Sequence, residues 1–131
     1  SPAMNFFPAT LRKDGNALYV DGGTFAVQVP ENRVSTYAPY VGKSIIFGIR
    51  PEDIHNPEFA PPGIIAQPLE AVVDVTELMG NEIFVYLKNG DHNFVARVDP
   101  RSRYQMGDRV QVVLNMANMH IFDRDTEKAI R

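Results

Sequence analysis

The 131-residue chain contains no cysteine. That absence excludes disulfides, thiolate metal sites and a cysteine nucleophile, and it agrees with a reducing compartment. A basic excess is missing too: 13 Lys and Arg stand against 16 Asp and Glu, for a formal net charge of -3. Domains that grip a phosphate backbone carry the opposite balance, so no nucleic acid is expected as a partner. No apolar run approaches the roughly 18 residues of a membrane-spanning helix. The start, Ser1-Pro2-Ala3-Met4-Asn5-Phe6-Phe7, has neither the basic end nor the apolar stretch of a signal peptide. It does not read as a natural start either, and the chain is expected to be a piece of a longer protein. Nor does any stretch read as a convincing amphipathic helix.

What is present is β patterning. Asn5–Thr10 suits a short or edge strand, because Pro8 interrupts it. Ala17–Val20 and Thr24–Val29, separated by Asp21-Gly22-Gly23, read as a hairpin with Phe25, Val27 and Val29 on one face. Pro30–Gly42 is a connection with room for a short helical turn. Ser44–Arg50 is apolar on both faces up to Gly48 and is expected to be buried on both sides. Asn56–Pro68, with four prolines, reads as a surface loop and as a break between two lobes. Leu69–Leu78 follows, with Leu69, Ala71, Val73 and Val75 on one face. Glu82–Leu87 and Asn93–Val98 flank Asn89-Gly90, a type I′ turn signal in which both residues take positive φ. His92, beside that turn, is expected to be exposed. Asp108–Leu114 and Met119–Phe122 complete the set. Eight to ten short strands in one 131-residue domain predict an all-β, OB-like small barrel or sandwich of two intertwined lobes.

Chemical motifs are few. Gly42-Lys43-Ser44 suggests a phosphate loop, but the glycine needed five residues earlier is Tyr37, and a strand follows where a helix N-terminus should cradle phosphate. His55, His92 and His120 show no metal-ligand spacing. Glu77 and Glu82 straddle Gly80 without a companion nucleophile, which is the pattern of a charged turn. Nothing here supports an enzyme. Two stretches stand out instead. Gly48–Ile54 places Arg50, Pro51, Glu52 and Asp53 at the end of a buried strand, where Pro51 stops the ladder. In Met119–Phe122, inward Met119 and Ile121 send His120 and Phe122 to the opposite face, where a Phe wants cover from its own chain or from a second subunit.

Together these stretches resemble one family. Gly48-Ile49-Arg50-Pro51-Glu52-Asp53 is similar to the G-x-R-P-E-D/H signature of the C-terminal "transport-associated OB" (TOBE) regulatory domain in sugar-importer ATP-binding cassette ATPases of the maltose and glycerol-3-phosphate type. Leu78-Met79-Gly80-Asn81-Glu82 matches its L-G-x-E turn. Met119-His120-Ile121-Phe122-Asp123, with Thr126 and Ala129-Ile130, resembles its terminal H-L-F-D…T-G-x-A-L run, and Ser1–Phe6 resembles the junction after its nucleotide-binding domain. The resemblance covers almost the whole chain. It implies a homodimerising regulatory domain that holds two ATPase subunits together, receives signals from a regulatory protein or small effector, and meets the transporter's membrane subunits through an N-terminal nucleotide-binding domain absent from this chain. Such a protein lies in the cytoplasm, peripheral on the inner face of the cell membrane, and supports ATP-driven uptake of a carbohydrate. ATP, Mg and the catalytic residues belong to that other domain, so this stretch carries no cofactor and does not hydrolyse ATP. Phe122 falls on a dimer and regulatory contact position. Arg50, Pro51, Glu52 and Asp53, with Glu77, Gly80 and Glu82, fall on the signature loops, and His120 and Asp123 on the terminal run.

One departure matters. Glu127 stands where the family has Gly, so a positive φ there costs about 1 kcal/mol, or the last hairpin uses another turn or frays. Within this pattern Arg50 is expected to seek a carboxylate, with Glu77, Glu82 and Asp123 as candidates. The alternative reading is a small-ligand OB module for a sugar or anion, with Arg50 as an anion fork beside Tyr37, Tyr40, Tyr86 and Tyr104.

Overall fold

Two long strands organise the chain, and each changes partner midway. The computed structural model describes residues 2–131. β1 (Asn5–Asp14) pairs with β4 (Ser44–Ile49) over its first half and with β2 (Ala17–Asp21) over its second, handing over at Thr10. Pro8 therefore sits where β1 has a neighbour on one side only, so its missing N–H costs no ladder bond. β6 (Ala66–Met79) repeats the device, pairing with β9 (Arg109–Asn115) up to Val72 and with β7 (Glu82–Asn89) from Val72 on. Pro68 again lies on the single-partner half.

These handovers build two five-stranded antiparallel sheets. With β3 (Ala26–Gln28) and β10 (His120–Asp123), the first runs β10-β4-β1-β2-β3. With β5 (Ile54–His55) and β8 (His92–Val98), the second runs β5-β9-β6-β7-β8 and curls until β8 meets β5. Short 3-10 pieces and one four-residue helical turn, α1 (Val34–Tyr37), fill the 31–40 connection. The fold is all-β, as the strand spacing predicts. The chain crosses from the first sheet to the second at Arg50–Asp53, and 56–68 lies between β5 and β6.

Both sheets share one core. Phe7, Leu11, Ile45, Phe47 and Ile49 of the first pack with Leu69, Val85, Leu87, Val112 and Leu114 of the second. Burying each of these side chains contributes about 1.5–3 kcal/mol before the entropy of ordering is charged. Polar clips join the same layers. The buried Asn5 carboxamide accepts from Val95 N–H at 2.8 Å and donates to Val95 O at 2.9 Å and to Ile49 O at 3.1 Å. It acts as one more strand residue linking β8 to β4.

Three local expectations are corrected. Val75 is 44% exposed rather than inward, because a bulge at Val73/Val75 shifts the alternation of β6 by one residue. The β7–β8 turn is Gly90-Asp91, not Asn89-Gly90. Gly90 alone takes positive φ (55°) and Asn89 stays in the strand opposite His92, a type II′ arrangement. Tertiary contacts decide this: the buried Asn89 side chain accepts from Thr24 Oγ1 and donates to Glu70 O at 2.7 Å. His92 is half-buried, its Nε2 2.7 Å from Gly22 O, with its ring against Phe7 and Phe25.

Candidate functional site

The terminal strand β10 assembles the site by pairing with β4, placing His120 opposite Gly48 and Phe122 opposite Ile46. Period 2 works as the sequence predicts: Met119 and Ile121 are buried, while His120 and Phe122 lie half-buried on the outer face. The cover that Phe122 needs comes partly from its own chain. Phe6, opposite Gly48 on β1, meets Phe122 edge to face with centroids 5.7 Å apart, and His120 stacks on Phe122 at 6.2 Å. Gly48 permits this approach, since a Cβ there would stand 2.7 Å from both Met4 Sδ and Phe122 Cε2. Phe6 nevertheless remains 59% exposed. Phe6, Ile46 and Phe122 thus form an apolar floor, and with Arg124 and Glu127 they line a depression of about 440 Å³.

Beside it, the end of β4 turns through Pro51–Asp53, closed by Asp53 N–H donating to Arg50 O at 2.9 Å. Pro51 and Asp53 are buried and Glu52 is exposed. Arg50, Glu52, Asp53, Asn118 and His120 share a groove of about 410 Å³ with Arg33. Asp53 accepts from Asn118 Nδ2 at 2.8 Å. The His120 pKa is lowered first by burial and next by the positive charges of Arg50 and Arg33, with Asp53 opposing.

The structure corrects the expected partner of Arg50. Among the described residues no carboxylate lies within ion-pair distance of it. Glu77 accepts from Tyr86 Oη at 2.9 Å, and Glu82 lies 3.5 Å from Arg97. Asp123 accepts from the N–H groups of Asp125 and Thr126, which depress its pKa. The predicted residues therefore fall into two places. Arg50, Pro51, Glu52, Asp53, His120, Phe122 and Asp123 gather at the β4–β10 edge. Glu77, Gly80 and Glu82 stay on the β6–β7 hairpin, whose two-residue turn has Gly80 at φ 63°. The terminal hairpin keeps its turn: Glu127 takes φ 60°, donates to Asp123 O at 2.8 Å and leaves Phe122 paired with Ala129.

Sequence reasoning missed two positioning residues. Arg33 donates to Tyr37 Oη at 2.6 Å, Met119 O at 3.0 Å and Ala117 O at 3.1 Å, fastening the 31–40 connection to the approach of β10. Asn5 clips the two sheets together. Neither has a local signature, since their acceptors lie 84 to 90 residues away for Arg33 to Ala117 and Asn5 to Val95. Of the tyrosines proposed for a ligand, Tyr37 is buried against Arg33 and Tyr86 is bonded to Glu77 on the other sheet, so the four do not converge.

Comparison with known proteins agrees with this geometry. Residues 1–54 match the MalK OB fold domain and residues 47–122 match the TOBE domain, the two overlapping across the β4 end and the Arg50–Asp53 turn. The multiple sugar-binding transport ATP-binding protein MsmK of Streptococcus mutans is 42% identical over the whole chain, which covers 34% of it. The oligosaccharides import ATP-binding protein MsmX of Bacillus subtilis is 40% identical over 100% of the chain and 35% of its own length. The trehalose/maltose import ATP-binding protein MalK of Thermococcus litoralis is 39% identical over 99% and 35%. This chain thus spans about a third of the length of these relatives. The molybdate-binding protein ModG superposes with a TM-score of 0.59 at 13% identity, covering 90% of this chain and 93% of that one, a likeness of fold alone. With a TOBE match over more than half its residues and relatives of this kind along its full length, the chain belongs to the MalK-type OB and TOBE domain family of sugar-importer ATP-binding proteins.

Proposed function

We propose that this chain is the regulatory and homodimerisation part of the ATP-binding subunit of a carbohydrate importer, and that the Phe122 face is where two copies meet. One observation carries the reading: the outer face of the first sheet is apolar at its centre, with Phe6 59% exposed beside Phe122 and Ile46. A large aromatic left open on a sheet face, over a depression and beside charged residues, is the composition of an interaction surface. The nearby Arg50–Asp53 groove, lined by His120 whose ring stacks on Phe122, is the surface for a regulatory protein or small effector. ATP hydrolysis, Mg and contact with membrane subunits belong to the remainder of the protein, and the assembly sits on the inner face of the cell membrane. The test is sedimentation velocity of the chain over a wide concentration range. A dimer that Phe122→Ala weakens and Phe122→Asp abolishes, with folding retained by circular dichroism, is expected. A monomer at all concentrations sinks the reading.

The small-ligand alternative keeps one support, the shared groove of Arg33, Arg50 and His120. Glu52 and Asp53 line the same groove and offset its cations. Calorimetric titration with maltose, phosphate and molybdate decides it; absence of heat removes this reading.

A further inference from the structure

The last turn of the chain carries a backbone oddity and two charges without partners, all on the rim of one apolar patch. Glu127, at φ 60°, is the one non-glycine residue with positive φ among the described residues. A side chain kept in a strained conformation points to a use for that side chain. Glu127 is exposed and lines the depression floored by Phe6, Ile46 and Phe122; Arg124, also exposed, lines it too. Among the described residues neither lies within ion-pair distance of an opposite charge, and they do not reach each other. One cation and one anion thus stand three residues apart on a single turn, at one side of an apolar floor.

Such a surface is complementary to itself. A two-fold axis running beside this turn sets the cation of each copy against the anion of the other, twice, with the two apolar floors adjoining. We propose that Arg124 of one copy pairs with Glu127 of a second copy across the Phe122 face, and that the strained turn exists to present this carboxylate. The inference rests on the homodimer reading above and adds the residues that choose the partner. A copy with glycine at position 127 would keep the turn but leave the facing Arg124 without its counter-charge. Rim pairs of this kind act on partner choice and association more than on raw affinity.

The experiment is sedimentation equilibrium of wild type, Glu127→Gly, Arg124→Glu and the swap Arg124→Glu/Glu127→Arg, at low and high salt, with thermal unfolding of each. Glu127→Gly is expected to weaken the dimer about three- to tenfold at low salt while raising the monomer's thermal midpoint, because the backbone strain is relieved. Arg124→Glu weakens it at least as much, by setting like charges opposite. The swap restores affinity to within about twofold, and salt shrinks every difference. Wild-type affinity in Glu127→Gly, or a swap no tighter than its single variants, overturns the pairing while leaving the homodimer standing. A wild-type chain that is monomeric, or a dimer indifferent to Phe122→Ala, overturns both.

Discussion

The first sheet completes its outer face with β10, drawn from the far end of the chain, whereas the second builds its signature hairpin from strands adjacent in sequence. The difference extends to chemistry. Around Phe122 the outer face of the first sheet is apolar and under-covered. On the β6–β7 hairpin, Glu77 and Glu82 are satisfied by Tyr86 and Arg97 of their own sheet. That hairpin is not polar throughout, since Leu78 and Met79 at its tip are 74% and 54% exposed, but its charges are met within its own sheet. A face completed by a four-residue edge strand depends on everything that docks that strand: Arg33 on the 117–119 carbonyls, Gly48 beneath Phe122, and the Glu127 turn. Two members of one signature set therefore differ in what they can do. The first region leaves an aromatic open beside charged side chains, and the second pairs its carboxylates within its own sheet.

Breaking the link between the sheets is expected to give the largest effect. Asn5→Ala leaves Val95 N–H, Val95 O and Ile49 O without their side-chain partner in a buried place, at a cost of about 3 kcal/mol. Denaturant unfolding measures it; a loss below about 1 kcal/mol would mean that apolar packing alone holds the sheets together.

The comparison sharpens at two glycines. In Gly48→Ala the new methyl meets Met4 Sδ and Phe122 Cε2 at 2.7 Å, so the Met4 side chain and the Phe122 ring must give way, costing about 1 kcal/mol or more and moving the Phe122 ring resonances. Gly80→Ala meets nothing within 4 Å, and its cost, about 1 kcal/mol, comes from φ 63° alone. If Gly80→Ala disturbs the Phe122 resonances as much as Gly48→Ala does, the two regions are not independent.

A smaller effect is expected at Arg50. Its charge helps hold the His120 pKa below the usual value, so Arg50→Ala moves that pKa upward in a histidine NMR titration. The sign for stability follows. A histidine with a folded pKa below its unfolded one favours the fold above the unfolded value, near 6.5, and loses that contribution as pH falls from there through the folded pKa. Arg50→Ala narrows the loss. An unmoved His120 would place Arg50 outside the groove. Smallest of all is Glu82→Gln, which breaks an exposed pair with Arg97 and shifts stability by less than about 0.5 kcal/mol.

Much of the fold was legible in the amino-acid sequence. Alternation put Leu69, Ala71 and Val73 on one face of β6 and Met119 and Ile121 inward, and all five are buried. It failed at Val75, where a bulge resets the phase, and at Asn89, where contacts with Thr24 and Glu70 outweigh the local turn preference. The candidate surface was half legible. Phe122 was stranded by simple period 2, but its neighbours Phe6 and Ile46 came from other strands. The partner expected for Arg50 was wrong because Glu77 and Glu82 lie on the other sheet and Asp123 is spent on its own turn.

Strand periodicity outside the β6 bulge, and the signature around Arg50, were thus determined by the amino-acid sequence alone, because each depends on neighbours a few residues apart. Tertiary structure decided which distant residues share a face. Pairing of β10 with β4 set Phe122 beside Phe6 and Ile46, and left Arg124 and Glu127 at their rim. The physical reason is that backbone register and side-chain cover are settled by strands 40 to 120 residues apart, roughly the span over which only a completed core can hold two segments together.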